Sequence, residues 1–389
     1  MYDAIIVGAR CAGAPTAMLL ARTGRKVLLL DRAEFPSDTL STHYIHQPGV
    51  AALNRWGLLG KLAATGCPPI RSYTLDVGPF ALQGSPPPIP GADAAYSPRR
   101  HILDRILVVA AAQAGAEVRE RFAVDDVLFE DGRAVGVRTR DGRVERARMV
   151  IGADGRHSLV ARAVKAAEYN VEPPLTCAYY TYWSGVEMPG VELYPREGLM
   201  IVASPTHDGR VVTIVLWSRD QFERVRSDIE GSFHRALQQA PGLAERLRGA
   251  TREERFRGTL QAPNRFRRPY GRGWALVGDA GFHKDPILAL GISDAFRDAE
   301  LLAEAIDGGD LASYEQRRNE MAGAGYASTI EFARLQPPPE EMQQLFFALR
   351  SNQEQTNRLF GTFAGTVPHA EFFSPENLGE IMGAVAAHR

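Results

Sequence analysis

A chain of 389 residues with 45% hydrophobic residues has room for two domains of ordinary size, each with a sizeable core. Its formal net charge of −1 argues against nucleic acid or an acidic membrane surface as the main partner. Cys11, Cys67 and Cys177 show no C-x-x-C spacing, which argues against a disulfide framework or a metal site and fits a reducing compartment. The chain opens on a strand rather than on a basic and then apolar leader, and it has no apolar run of about eighteen residues. The expectation is a cytoplasmic enzyme with a small-molecule substrate and no membrane span.

Tyr2-Asp3-Ala4-Ile5-Ile6-Val7 is a short apolar run ending at Gly8, and Ala14 to Thr23 reads as a helix with small residues facing inward. Strand, tight turn and helix are followed by the apolar run Lys26 to Leu30 and then Asp31, about twenty residues after the glycines, where a dinucleotide fold places a carboxylate for a ribose hydroxyl. Gly8 makes the turn, Gly13 lets the helix lie close to the sheet, and the free N–H groups at the helix start suit a pyrophosphate. The middle glycine of the fingerprint is replaced by Arg10, which must point away from the turn or add its charge beside the pyrophosphate. Gln47 to Leu62 has helical spacing weakened by Gly57 and Gly60, and Ser72 to Leu82 alternates as a strand. A proline-rich excursion over Ser85 to Gly91 precedes a helix from Ile102 to Ala114. Three β runs joined at Asp131-Gly132 and Asp141-Gly142 then lead into Gly152-Ala153-Asp154-Gly155.

From about Lys165 to Arg268 the pattern is that of a separate lobe. Cys177 to Trp183 and Val211 to Trp217 are aromatic-rich β runs, and Asp228 to Leu247 is helical with a break at Pro241-Gly242. Gly273 to Val277 is a strand ending at Gly278-Asp279, and a loop with Asp285-Pro286 leads to a helix from Ser293 to about Ile306. Beyond the prolines 337–339, Met342, Leu345, Phe346 and Leu349 share a helical face.

Three glycine–acid motifs thus follow one another, each after a β run: Gly8 to Gly13 with Asp31, Gly152 to Ser158, and Gly278-Asp279-Ala280 with Gly291-Ile292. Their order resembles the FAD-dependent aromatic hydroxylases of the p-hydroxybenzoate hydroxylase fold, whose superfamily includes the geranylgeranyl reductases. The resemblance implies an α/β fold in which a Rossmann-type, glutathione reductase-like FAD-binding domain (1–70, 97–165 and 270–330) joins a β-sheet substrate domain (71–96 and 166–269) and a C-terminal helical segment (331–389). It implies that Gly8, Arg10, Gly13, Asp31 and Arg32 flank the ADP half of FAD, and that Arg99 or Arg100 reaches its phosphate side. Asp154 and Gly155 would fix the loop near the flavin, and Gly278 and Asp279 would hold the ribityl chain. Pro286, Gly291 and Ile292 would present the start of a helix to the flavin ring, where a helix N-terminus stabilises a nearby negative charge by up to about 2 kcal/mol.

His43, His46 and His283 lie in loops beside motif positions and are candidates for proton handling, with His43, His283 and Pro286 set nearest the reaction. Tyr179, Trp183 and Trp217, with Tyr182 and Tyr194, are candidates to line a pocket for a flat apolar substrate, although strand alternation puts Tyr179 and Trp183 on one face and Tyr182 on the other. The resemblance implies an NADPH- or NADH-dependent monooxygenase that hydroxylates or epoxidises an aromatic or polycyclic molecule. Reduction of isoprenoid double bonds and flavin-dependent halogenation are alternatives within the fold. The halogenase W-x-W-x-I-P signature is absent, and Lys61 is the only lysine between Lys26 and Lys165. Outside the enzymes, a non-catalytic nucleotide-binding sensor is the competing reading.

Overall fold

The computed structural model describes residues 1–259 and 263–386, so part of the 166–269 and 331–389 expectations, namely 260–262 and 387–389, lies outside the described residues. Contacts divide the chain into two units, each drawn from three stretches. One comprises Met1–Ser41, Arg99–Pro173 and Ala262–Ala327, the other Thr42–Pro98, Pro174–Gln261 and Ser328–Arg389, in their described residues. Residues 42–70, expected in the FAD-binding part, group with the second unit, as do the C-terminal helices. The reason is local for the former: Ile45 and Tyr96 exchange backbone hydrogen bonds of 2.7 and 3.1 Å, and the Tyr44 and Tyr73 hydroxyls lie 2.7 Å apart. Among the described residues no helix is long and apolar enough to cross a membrane.

The first unit is built on a sheet in the order Tyr270–Gly271, Trp274–Leu276, Val144–Gly152, Tyr2–Val7, Val27–Leu30, Glu117–Arg119. All neighbours are parallel except the first pair. Tyr2–Val7 is central, with Ile5 opposite both Leu28 and Val150, and Ile5 and Ile6 are fully buried, as expected of a parallel strand covered on both faces. Val27–Leu30, the next strand of the chain, lies on one side of it and Val144–Gly152 on the other, so the strand order reverses here and a topological switch point lies at its carboxyl end, where doubly wound folds bind ligands. Helices Gly13–Arg22, Arg100–Gln113 and Gly291–Gly308 pack around that point. The expected meander is present as Val124–Glu130, Arg133–Thr139 and the start of Val144–Gly152. Its first turn has Asp131 and Gly132 at φ 47° and 72°.

The second unit holds a sheet in the order Thr251–Arg252, Thr176–Ser184, Val211–Ser218, Leu199–Pro205, Val191–Arg196, Tyr73–Asp76, Ala81–Gly84. The strand expected over Ser72 to Leu82 is instead a hairpin, Tyr73–Asp76 with Ala81–Gly84. Gly78 at φ 99° and Pro79 turn the chain where simple alternation had suggested continuity. Helices Phe222–Ser227, Ile229–Leu237 and Pro241–Arg248 supply the apolar layer on one sheet face, with the expected break falling before Pro241. The C-terminal helix Gln353–Ala364 closes on the hairpin, where Asn357 Oδ1 accepts from the Ser85 N–H at 2.9 Å and Gln353 donates to the Gln83 carbonyl at 2.8 Å.

Candidate functional site

At the switch point of the first unit the fingerprint turn and the second motif are in backbone contact. Gly8 adopts φ 101°, and a Cβ there would lie 2.4 Å from the Ala153 carbonyl oxygen; one on Gly13 would lie 1.8 Å from the Gly8 carbonyl oxygen. Both positions therefore demand glycine. Gly278, at φ 60°, sits against Ala12, so the third motif closes on the same turn. Asp31 is buried with its carboxylate already engaged, accepting from the Ala9 N–H at 2.7 Å and the Ala33 N–H at 2.8 Å. Arg32, beside it, is exposed.

Arg10 points away from the turn. Its guanidinium donates to the Ser37 carbonyl (3.2 Å), the Ser37 hydroxyl (2.9 Å) and Asp104 (2.5 Å), and it lies over the Phe35 ring. Asp104, fully buried, also takes two hydrogen bonds of 3.0 and 3.2 Å from Arg100 Nη2, and the Cys11 thiol lies 3.4 Å from it. Burial pushes the Cys11 thiol well above its ordinary value. Arg100 is thus committed to Asp104, whereas Arg99, at the cap of the same helix, faces Asp38 at 3.5 Å. Asp104 was not legible as a site residue; its one sequence signal is its place four residues after Arg100.

Ser158 caps the short helix Leu159–Ala163, and Asp154 backs that cap, accepting from the Leu159 and Val160 N–H groups at 2.6 and 3.2 Å and from the Ser158 hydroxyl. Burial raises its carboxyl above the ordinary carboxylate range despite those donors. Gly155, at φ 76°, turns the loop that follows. Asp279 is half exposed, and His283 Nε2 stands 4.0 Å from it. His283 is buried, and its Nδ1 lies 2.5 Å from the Pro263 carbonyl oxygen. Burial lowers its pKa, with Arg156 and Arg265 acting in the same direction and Asp279 against them. Asp285 caps the turn Pro286–Leu288 through a 3.1 Å bond from the Ile287 N–H.

The helix Gly291–Gly308 then begins. A Cβ on Gly291 would meet open space, Ile292 is buried, and the Ser293 hydroxyl is buried without a hydrogen-bond partner. Behind it, the carboxylate of Asp294 is ion-paired with Lys284 at 2.8 Å and Arg297 at 2.7 Å. Although burial opposes ionisation of Asp294, those two cations outweigh it and hold the carboxyl below its ordinary value. Free first-turn N–H groups, an unmet buried hydroxyl and room in front of Gly291 fit the polar edge of a flavin ring, and the glycine turn with Asp31 fits an ADP half. The cofactor-binding candidates, with Arg32 at the margin, thus fall in one unit.

The second unit corrects the substrate candidates. Trp183 and Trp217 are buried in the core between the sheet and its helices, with Tyr194 beside them and Tyr179 packed against the same cluster. They face the helices because alternate residues of each strand do so, and the helical layer covers that face. The opposite face carries Tyr180 and Tyr182, neighboured in register by Val212 and Ile214, with Met200 and Val202 on the next strand. His43 belongs to that cluster: its Nε2 is 2.7 Å from the Tyr182 hydroxyl, and its ring meets Tyr180 edge-on at 5.4 Å. Both His43 and Tyr182 are fully buried. His43 holds φ 64°, a backbone region disfavoured for a side chain of its size. Sequence reasoning named His43 and placed Tyr182 on the face opposite Tyr179, but could not tell which face the helices cover.

The family described as FAD binding domain matches residues 1–325. The chain is 29% identical over 361 residues to digeranylgeranylglycerophospholipid reductase 2 of Methanopyrus kandleri, covering 85% of each chain. It is 24% identical over 328 residues to the 1H-pyrrole-2-carbonyl-[peptidyl-carrier protein] brominase of Pseudoalteromonas luteoviolacea, covering 79% of each. The structure of the myxobacterial chondrochloren halogenase CndH superposes with a TM-score of 0.77 at 23% identity, over 98% of this chain and 97% of that one, and shows the same fold. These findings overturn the expectation of a hydroxylating or epoxidising monooxygenase. The similar proteins are named for reduction and halogenation, two chemistries that the fold also accommodates.

Proposed function

This chain belongs to the FAD binding domain family, and from that premise we propose that it is an FAD-dependent oxidoreductase that reduces carbon–carbon double bonds of an apolar, isoprenoid-type small molecule. FAD bound at the fingerprint, Asp154 and Asp279 motifs supplies two-electron hydride chemistry. A nicotinamide dinucleotide, NADPH or NADH, is the electron source assigned here, and the reducing cytoplasm, which suits three free and buried cysteines, is the compartment.

The observation that carries the reading is the likeness, over 85% of each chain, to the Methanopyrus reductase. The sheet face of the second unit that its helices leave is largely buried and apolar along Met200, Val202, Val212 and Ile214, with Ser204, Tyr180 and the His43–Tyr182 pair as its polar members. Halogenation is the second reading, favoured by the likeness to the brominase. Against it stands the absence of the W-x-W-x-I-P signature from the sequence.

The test is anaerobic. Holoenzyme reduced with NADPH under argon is mixed with a geranylgeranyl lipid, and flavin absorbance and product mass are followed. Reoxidation of the flavin with a mass gain of two hydrogens is expected. A flavin that reoxidises only with air, giving a chlorinated or brominated product when halide is present, overturns the reading in favour of halogenation.

A further inference from the structure

We propose that Lys284, buried behind the first turn of the helix Gly291–Gly308, sets the reduction potential of the flavin held at that turn by offsetting the charge of Asp294. The inference rests on FAD binding as read above and not on the choice of substrate. Every residue it uses belongs to the first unit. The side chain of Lys284 is 5% exposed, with Nζ 2.8 Å from Asp294 Oδ2 and 5.0 Å from the centre of the Phe282 ring. Asp294 lies in the first helical turn, three residues after the exposed Gly291, which at a rise of about 1.5 Å per residue puts the two about 4.5 Å apart along the axis. Arg297 is divided between two carboxylates, donating to Asp294 at 2.7 Å and to Asp298 at 2.6 Å. Arg318, whose charge also reaches Asp298, gives its own donors to the Gly281 and Arg267 carbonyls, Tyr169 and Asn319. Without Lys284, two carboxylates would share the Arg297 guanidinium directly behind the start of the helix.

The chemistry of the couple gives the sign. Hydride from a nicotinamide dinucleotide carries two electrons and one proton, oxidises the dinucleotide, and leaves the reduced flavin with one negative charge near neutral pH. A helix N-terminus favours that charge, and an unpaired carboxylate in the first turn disfavours it. Asp294 ties the loop of Asp285 and Pro286 to the helix through Lys284, and the cation keeps that tie from leaving negative charge behind the ring. Stability does not account for the arrangement, since an ion pair withdrawn from water adds little over apolar side chains packed in its place. Lys284 is therefore a positioning residue that acts on the flavin through Asp294, by its field.

The test measures the midpoint potential of the holoenzyme by anaerobic titration against redox dyes, with FAD Kd and thermal unfolding followed alongside. Relative to oxidised flavin, Lys284→Met should bind reduced flavin about tenfold less tightly than wild type does, a fall of about 30 mV for a two-electron couple. Asp294→Asn, which breaks the same ion pair, should raise the potential by a similar amount. The double variant Lys284→Met with Asp294→Asn, and Lys284→Arg alone, should keep the affinity ratio within about twofold of wild type. Both single variants lose the same contact, so a merely structural role would move them in the same direction. Potentials that move together, that stay at the wild-type value in both single variants, or that remain displaced in the double variant overturn the proposal. Should Lys284→Met fail to hold FAD, Asp294→Asn decides alone, and a potential at or below that of wild type overturns the proposal. A wild-type protein that takes up no FAD overturns the cofactor reading and the proposal with it. The expected potentials in a protein that reduces no geranylgeranyl lipid support the proposal and remove the reductase reading.

Discussion

Arg10 stands where a fingerprint ordinarily has glycine, yet its charge is directed at Ser37 and Asp104, away from the glycine turn. Replacing it by glycine should therefore preserve FAD binding while lowering stability by about 1–3 kcal/mol, the scale of lost hydrogen bonds to charged groups; FAD titration and urea unfolding would check both halves. Asp104→Asn should be worse, about 3–5 kcal/mol by the same unfolding measurement, because it strips the carboxylate from two guanidiniums and leaves buried charge uncompensated. Asp279→Ala should weaken FAD retention with little loss of fold, since the side chain is half exposed and its partner His283 stands at 4.0 Å. Gly8, Gly13 and Asp31 could be read from spacing alone because their roles are local backbone geometry. Asp104 could not, since its meaning depends on Arg10, 94 residues away, being folded against it.

Alternation along the strand Thr176–Ser184 divides its residues into two faces, and that much is visible in the sequence. Which face the helices Phe222–Ser227, Ile229–Leu237 and Pro241–Arg248 cover is a tertiary fact, and for that reason Trp183 and Trp217 read as readily for a pocket as for a core. Trp217→Ala should cost about 3–5 kcal/mol in an unfolding experiment, the usual scale for an emptied aromatic site, and leave substrate preference unchanged. The loop between Asp279 and the helix Gly291–Gly308 carries a titration of its own. Buried His283 has its pKa below the ordinary value of about 6.5, so its neutral form favours the folded state. That contribution is fully present above about pH 6.5 and is lost as pH falls from there through the folded-state pKa. Thermal unfolding should accordingly show wild type losing stability below pH 6.5 more steeply than His283→Gln.

Across the molecule the two units alternate along the chain, so neither is a contiguous segment that a sequence boundary could have revealed. The three motifs were legible because each is short and each follows a strand; the allegiance of residues 42–70 was not, because it depends on Ile45 pairing with Tyr96. The unit that holds the motifs also treats the two halves of FAD differently. Asp31 already has its backbone donors and the glycine turn is locked by close contact, whereas the Ser293 hydroxyl at the start of its helix has no partner. The adenylate end of the cofactor thus meets a mould set by backbone contact, and the flavin end a hydroxyl and helix N–H groups that it would engage itself. The chain stripped of flavin should then take up ADP at the glycine turn. Free adenine nucleotides would act as a toll on maturation, slowing the appearance of coloured holoenzyme in proportion to their concentration, while riboflavin, which lacks the adenylate, would pass without effect.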